Sequence, residues 1–206
     1  MGVVKHRLAF LALLLVAGPL GAQPNGIVLV AKPGLPDSNF SETVVLVTHS
    51  DEGSPVGVIL NRPTKLKLAD VAPRVRGAQN FTEPLYSGGP VMREVLVALF
   101  RAETPPAEAA FQVLPGIYLT LHPATIEALI AEHRERLRLY AGFSGWAPRQ
   151  LEAEIDTGSW YVLRATEALA FRGDTAGMWA ELVAQASGAR TLRAAPARLA
   201  ALTPQR

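Results

Sequence analysis

Gly142–Trp160, GFSGWAPRQLEAEIDTGSW, decides the fold. It sets three glycines, two tryptophans and a proline around one short amphipathic segment. Glycine permits positive φ, or close approach of another segment, where a Cβ would clash. Pro148 predicts a first helical turn, because its ring fixes φ there. Leu151 and Ile155 lie four apart on one face, and Gly158 reads as the residue that ends the helix. Ser159–Arg164, SWYVLR, then predicts a returning strand. The expected arrangement is a strand leaving Tyr140, a glycine-rich corner, a short helix and a strand back. Trp146 and Trp160 flank so small a helix that both are expected to be buried.

Working outward, Arg136–Tyr140 alternates charged and apolar residues and predicts a strand with one wet face. Ala124–His133 places Ile126, Leu129, Ile130 and His133 at helical spacing. Further back, Ile27–Ala31 (IVLVA) and Thr43–Thr48 (TVVLVT) read as buried strands. The second is expected to pair with Val56–Leu60 across the turn DEGSP, as a hairpin. Leu66–Val71 predicts a short helix, and Leu85–Val91 (LYSGGPV) a strand end running into a Gly-Gly-Pro corner. Val95–Phe100 and Ile117–Leu121 predict strands, with Ala102–Ala110 an exposed loop between them. Downstream, Asp174 is expected to cap a helix running through Ser187, with Met178, Leu182 and Ala186 on one face and Gly188 as the stop. No repeat or linker interrupts 26–188. The fold class is α+β, in a single domain.

The 206 residues are 49% apolar and 18% charged, which suits one sizeable core. The body from 23 to 189 carries 14 basic and 18 acidic groups, a net of −4. That balance argues against a surface built to neutralise nucleic-acid phosphates. Cysteine is absent, so disulfides, thiolate nucleophiles and Cys-ligated zinc are excluded. Met1–Ala22 reads as a signal peptide: Lys5 and Arg7, then the apolar run Leu8–Ala17, then Gly18, Pro19 and a small residue before Gln23. The expectation is a periplasmic or secreted protein cleaved near Ala22, touching the membrane only through an uncleaved leader. A cytoplasmic protein with a misassigned start is the alternative. Residues 189–206, rich in Ala, Pro and Arg, are expected to form a loose tail.

Five stretches, in order, carry a resemblance: VLVA (28–31), LPDSNF (35–40), GVILNRPT (57–64), LYSGGPV (85–91) and the stretch from Gly142 to Trp160. The chain resembles the AlgH/YqgE family of bacterial proteins, often labelled transcriptional regulators. The resemblance implies a small α+β protein with a bent, coiled, mostly antiparallel sheet flanked by short helices. It implies no catalytic residue, no cofactor and no metal. The leader and the arginine-bearing tail depart from the family pattern.

Within those stretches, Asp37, Ser38, Asn39, Asn61, Arg62, Ser87, Gly88, Gly89, Ser144 and Trp146 are the candidate ligand- or partner-binding residues. The polar ones sit at strand ends beside glycine or proline. Loop-fixing polar residues are commoner than binding ones, so each also has a purely structural reading. Arg62 is expected to pair with Asp37, and the Asp37 loop, Arg62, the Gly88-Gly89 corner and the Ser144 turn to meet on one face. Ser144 lies in Gly-Phe-Ser-Gly, where the second glycine comes one residue too early for a nucleophile elbow. His49, Ser50 and Asp51 are adjacent, so they point in different directions and form no triad. The histidines lack metal-ligand spacing, and no phosphate-cradling glycine motif follows a strand. Three functions are expected in order: a non-enzymatic binding protein of an unknown protein or small molecule, a cytoplasmic regulator, and a hydrolase using Ser144.

Overall fold

The computed structural model describes residues 26–50, 52–132 and 137–188. The leader, the tail, Asp51, His133 and Arg136 lie outside the described residues. Nine strands form one sheet: β1 (Ile27–Ala31), β2 (Val44–His49), β3 (Pro55–Ile59), β4 (Tyr86–Ser87), β5 (Val91–Arg101), β6 (Phe111–Leu114), β7 (Ile117–Thr120), β8 (Leu137–Gly145) and β9 (Trp160–Arg164). Their order is β6-β7-β5-β8-β3-β2-β1-β9, with β4 beside β8. Every pairing is antiparallel except β4 with β8. The helices are short: α1 (Leu68–Val71), α2 (Pro123–Glu132), α3 (Gln150–Asp156), α4 (Glu167–Ala170) and α5 (Met178–Gly188).

The period-two alternation of the strands distributes three cores. Val28 and Val30 of β1 enter an inner core with Val44, Leu46, Val97, Leu99 and Tyr140, closed by Met178 and Leu182 of α5. Ile27, Leu29 and Ala31 face the opposite way, toward Trp146, Leu151 and Trp160. On the other half of the sheet, Ala98, Phe100, Leu137 and Leu139 pack under Ile126, Leu129 and Ile130 of α2. The sheet bends so that β6 returns to β2, where the Thr48 hydroxyl donates to the Gln112 carbonyl at 2.9 Å. Such strands read as unbroken apolar runs because both of their faces are covered.

The hairpin, the α+β class and the faces of α2 and α5 agree with the sequence reading. Other elements differ. The expected corner after Tyr140 is not a strand end: β8 runs on to Gly145, with Gly142 at φ 70°. Nor does β8 have a wet face. Arg138 is 9% exposed, because α4 and the segment after it cover its side. Pro148 sits in a turn two residues before α3, which begins after Arg149 at φ 64°. Asp174 does not cap α5; its Oδ1 accepts from the Ala176 amide at 2.9 Å, turning the chain four residues ahead of the helix. Gly188 is the last residue of α5. β5 begins at Val91, with a register shift before Leu96, and β6 is too short to register in the sequence pattern.

The end of α3 follows the expectation closely. Gly158, at φ 87°, donates its amide to Ile155, and Ser159 donates to Glu154, at 3.0 and 2.9 Å. This paired closure satisfies two terminal carbonyls and aims the chain into β9. Trp146 and Trp160 are 5% and 4% exposed. Phe40, delivered by the LPDSNF loop, stacks on Trp146 at 5.8 Å and meets Trp160 edge-on at 5.5 Å. One carboxylate oxygen, Oε2 of Glu154, accepts from both indole N–H groups, at 3.0 and 2.9 Å. Its other oxygen accepts from Gln150 at 2.9 Å. The carboxylate joins the start of the stretch to its end. Glu154→Ala leaves two partly buried indole donors without an acceptor, and an orphaned donor costs about 1–3 kcal/mol. Urea unfolding followed by tryptophan fluorescence is expected to show a loss of about 2–5 kcal/mol; an unchanged midpoint would refute the shared-carboxylate account.

Candidate functional site

The loop 37–43 is folded on itself before anything else touches it. Asp37 Oδ1 accepts from the Asn39 amide at 2.8 Å, and the Asp37 carbonyl accepts from Phe40 and Ser41. Ser38 is exposed at the tip. The strand β3 ends just before Leu60-Asn61-Arg62, and the last two bind this loop. Asn61 Oδ1 accepts from the Val44 amide at 2.8 Å while its Nδ2 donates to the Glu42 carbonyl at 2.9 Å. Arg62 donates from Nη1 to the Asn39 carbonyl at 2.6 Å and from Nη2 to the Ser41 carbonyl at 2.9 Å. The expected Arg62–Asp37 ion pair is therefore not formed. A fork of two donors suits two carbonyls separated by one residue on a tight loop, and Asp37 is already spent on its own turn. Burial lowers the Arg62 pKa, and the charge of Asp37 opposes that shift.

The Gly88-Gly89 corner joins the same assembly from below. The Arg62 carbonyl accepts from the Ser87 amide at 2.9 Å, and the Gly88 amide donates to Ala141 of β8 at 2.9 Å. The Gly88 carbonyl accepts from the Ile59 amide at 2.9 Å and from the Ser144 hydroxyl at 3.1 Å. A Cβ on Gly88 would run into the Gly142 carbonyl oxygen, and one on Gly89 into Phe143 and Ser144. Asp37, Asn39, Asn61, Arg62, Ser87, Gly88, Gly89 and Ser144 thus form one bonded chain, as expected. Trp146 does not join it; it lies in the aromatic cluster, linked only through Phe40.

Most of that chain is turned inward. Ser144 is fully buried, and its hydroxyl donates to a carbonyl. The open space lies next door. A groove of about 770 Å3 runs between Asn61, Pro63 and Tyr86 on one wall and Thr175, Met178 and Trp179 on the other. Trp179 is half-buried there, its indole N–H donating to the Ala31 carbonyl at 2.7 Å. Pro84, Tyr86 and Gly173 also line a second cleft of about 440 Å3, which holds Glu83, Arg101 and Arg138. Of the residues picked from the sequence, only Asn61 lines the groove. Tyr86 was within reach: it precedes Ser87 and, by strand alternation, points the other way.

The remaining polar residues build no further site. Burial pushes the His49 imidazole below its ordinary range, and the Glu152 carboxylate pulls it back. Among the described residues, no group of three or more His, Asp or Glu converges as a metal would require. No described helix is long and apolar enough to cross a membrane. For the junction itself, Gly88→Ala forces a methyl group against backbone rather than a movable side chain. Urea titration is expected to show a loss of about 1–3 kcal/mol or more; a variant as stable as the parent would mean that β4 and β8 can separate freely.

The fold and this junction can be set beside known proteins. The AlgH-like family profile matches residues 28–190. A UPF0301 protein of Chlorobium luteolum is 34% identical over 168 residues, covering 79% of this chain and 86% of that one. A UPF0301 protein of Thermobifida fusca is 34% identical over 175 residues, covering 79% and 87%. The solution structure of the AlgH protein from Pseudomonas aeruginosa superposes with a TM-score of 0.66 at 24% identity, covering 84% of this chain and 93% of that one. Protein DIP2367 from Corynebacterium diphtheriae gives 0.60 at 23% identity, covering 80% and 88%. The two structures share the fold, and the profile spans the strands, the loop 37–43 and the Gly-Gly corner alike: the chain belongs to the AlgH-like, UPF0301 family.

Proposed function

We propose that this AlgH-like protein is a non-enzymatic binding protein whose ligand, a small molecule, occupies the groove between Tyr86 and the segment leading into α5. The observation that carries this reading is the groove itself. At about 770 Å3 it has the size of small-molecule sites, and its walls combine aromatic and aliphatic surface with a few polar groups. Asn61 and Arg62 also serve it indirectly, tying the loop 37–43 through its backbone beside the groove. Catalysis has less support: Ser144 is enclosed, and its proton is committed to a carbonyl rather than to a base. The leader supports binding outside the cytoplasm, where a role at the chromosome is closed.

Two measurements test the proposal. A fragment library screened by NMR is expected to yield binders that shift the Trp179 indole resonance. Ala176→Trp, a change at an exposed groove residue, should abolish those shifts without lowering Tm. Binders that leave Trp179 unmoved, or that tolerate the added ring, would point to another site. For export, N-terminal sequencing of the native protein after cell fractionation is expected to begin near Gln23; a cytosolic chain beginning at Met1 would refute it.

A further inference from the structure

Arg138 of β8 is a buried cation. The group lies 4.6 Å from the centre of the Tyr86 ring, donates from Nη1 to the Ala170 carbonyl at 3.3 Å, and from Nη2 to the Arg172 carbonyl at 2.6 Å. Those acceptors are neutral. Among the described residues no carboxylate pairs with Arg138. Glu167 is taken by Arg101 at 2.6 Å, Glu181 by Arg172 at 2.7 Å, and Glu83 stands exposed on the rim of the cleft. A buried cation normally has a counter-charge, because the cost of desolvating it is otherwise not offset. A guanidinium carries five N–H donors, and two of Arg138's go to those carbonyls. Two residues on, the Tyr140 hydroxyl is fully buried, with the Arg138 guanidinium as its polar neighbour. Burial makes it a weaker acid than an ordinary tyrosine, while the charge and hydrogen bonding of Arg138 pull the other way. The site therefore holds a positive charge that no described carboxylate pairs with, and Arg138 lines an open cleft of about 440 Å3.

We infer that Arg138 anchors an oxyanion, the carboxylate or phosphate of a small-molecule ligand whose body passes Tyr86 into the groove. The inference rests on the groove reading and names the chemistry of the ligand's charged end. Planar donors on a guanidinium match the spacing of carboxylate and phosphate oxygens. Arg101, paired with Glu167, lies at the same cleft with its guanidinium stacked 3.7 Å over the Phe171 ring. Pro84, Tyr86 and Gly173, which line both spaces, connect the charged end to the apolar one.

The test titrates the full chain with succinate and with inorganic phosphate at constant ionic strength, against glycerol as a neutral control, reading the Arg138 Nε–H resonance. At least one of the acids is expected to move it saturably, and the tighter of the two identifies the oxyanion. Arg138→Gln, which lacks that reporter and is therefore titrated calorimetrically beside the parent protein, should weaken binding roughly tenfold, the loss typical of a charge-assisted contact. Glu83→Gln, on the exposed rim where folding is not at stake, should tighten it roughly twofold at low salt by removing a like charge. An Arg138 resonance that stays still with both acids, or drifts linearly with either alongside surface arginines, overturns the inference in the wild-type protein. If neutral fragments still shift Trp179 in that case, the anchor is wrong and the groove reading stands.

Discussion

One strand must satisfy three partners. β8 is hydrogen-bonded to β5 along one edge and, on the other, first to β4 and then to β3. Tyr140 and Ala141 pair with β4 in parallel, and Ser144 and Gly145 pair with β3 in the antiparallel sense, so this edge changes partner and direction within three residues. The solution is local. Gly142 takes φ 70°, and Gly88 comes within contact of it where any side chain would strike backbone. This close approach lets β4 lie against β8 and then hand that edge to β3. The bend that follows divides the apolar residues among three cores and opens the groove beside Tyr86.

The sequence makes most of this fold legible where its signals are short-range. IVLVA, TVVLVT and VGVIL could hardly be anything but covered strands, and Gly158 marks the end of α3 correctly. Signals fail where the deciding partner is distant. Arg138 alternates with apolar neighbours as a solvent-facing residue would; only the carbonyls of Ala170 and Arg172, far along the chain, show that it points into the protein. Gly142 is equally ambiguous. Nothing nearby separates a chain-reversing corner from a kink inside a continuing strand, and the choice is made by β5 and β4.

The junction shows the same limit for function. Its residues were recognisable as a set, and they do converge, yet their bonds are mostly to each other and to backbone. Arg62 illustrates the reason. Charge pairing with Asp37 is the simple expectation, but a loop that has already turned on itself presents two carbonyls at the spacing of a guanidinium fork. Composition cannot show such a geometry. Glu154 carries no signal of its role for a related reason: an acid on a short surface helix looks like a solvated residue until two tryptophans from either end are brought to it.

The pairing of β1 with β9 bears on how the molecule is made. β1, the first of the described strands, gains its second neighbour only when Trp160–Arg164 has been synthesised. β3 likewise waits for Ser144 and Gly145. Until then the hairpin exposes Val- and Leu-rich strand edges, the template for unwanted association between nascent chains. Contacts this far apart close slowly, because loop entropy is lost before any pairing compensates it. The sheet therefore cannot close as the chain emerges from the ribosome; its pairing is held back until β8 and β9 are present, leaving an interval in which native structure does not yet cover those edges.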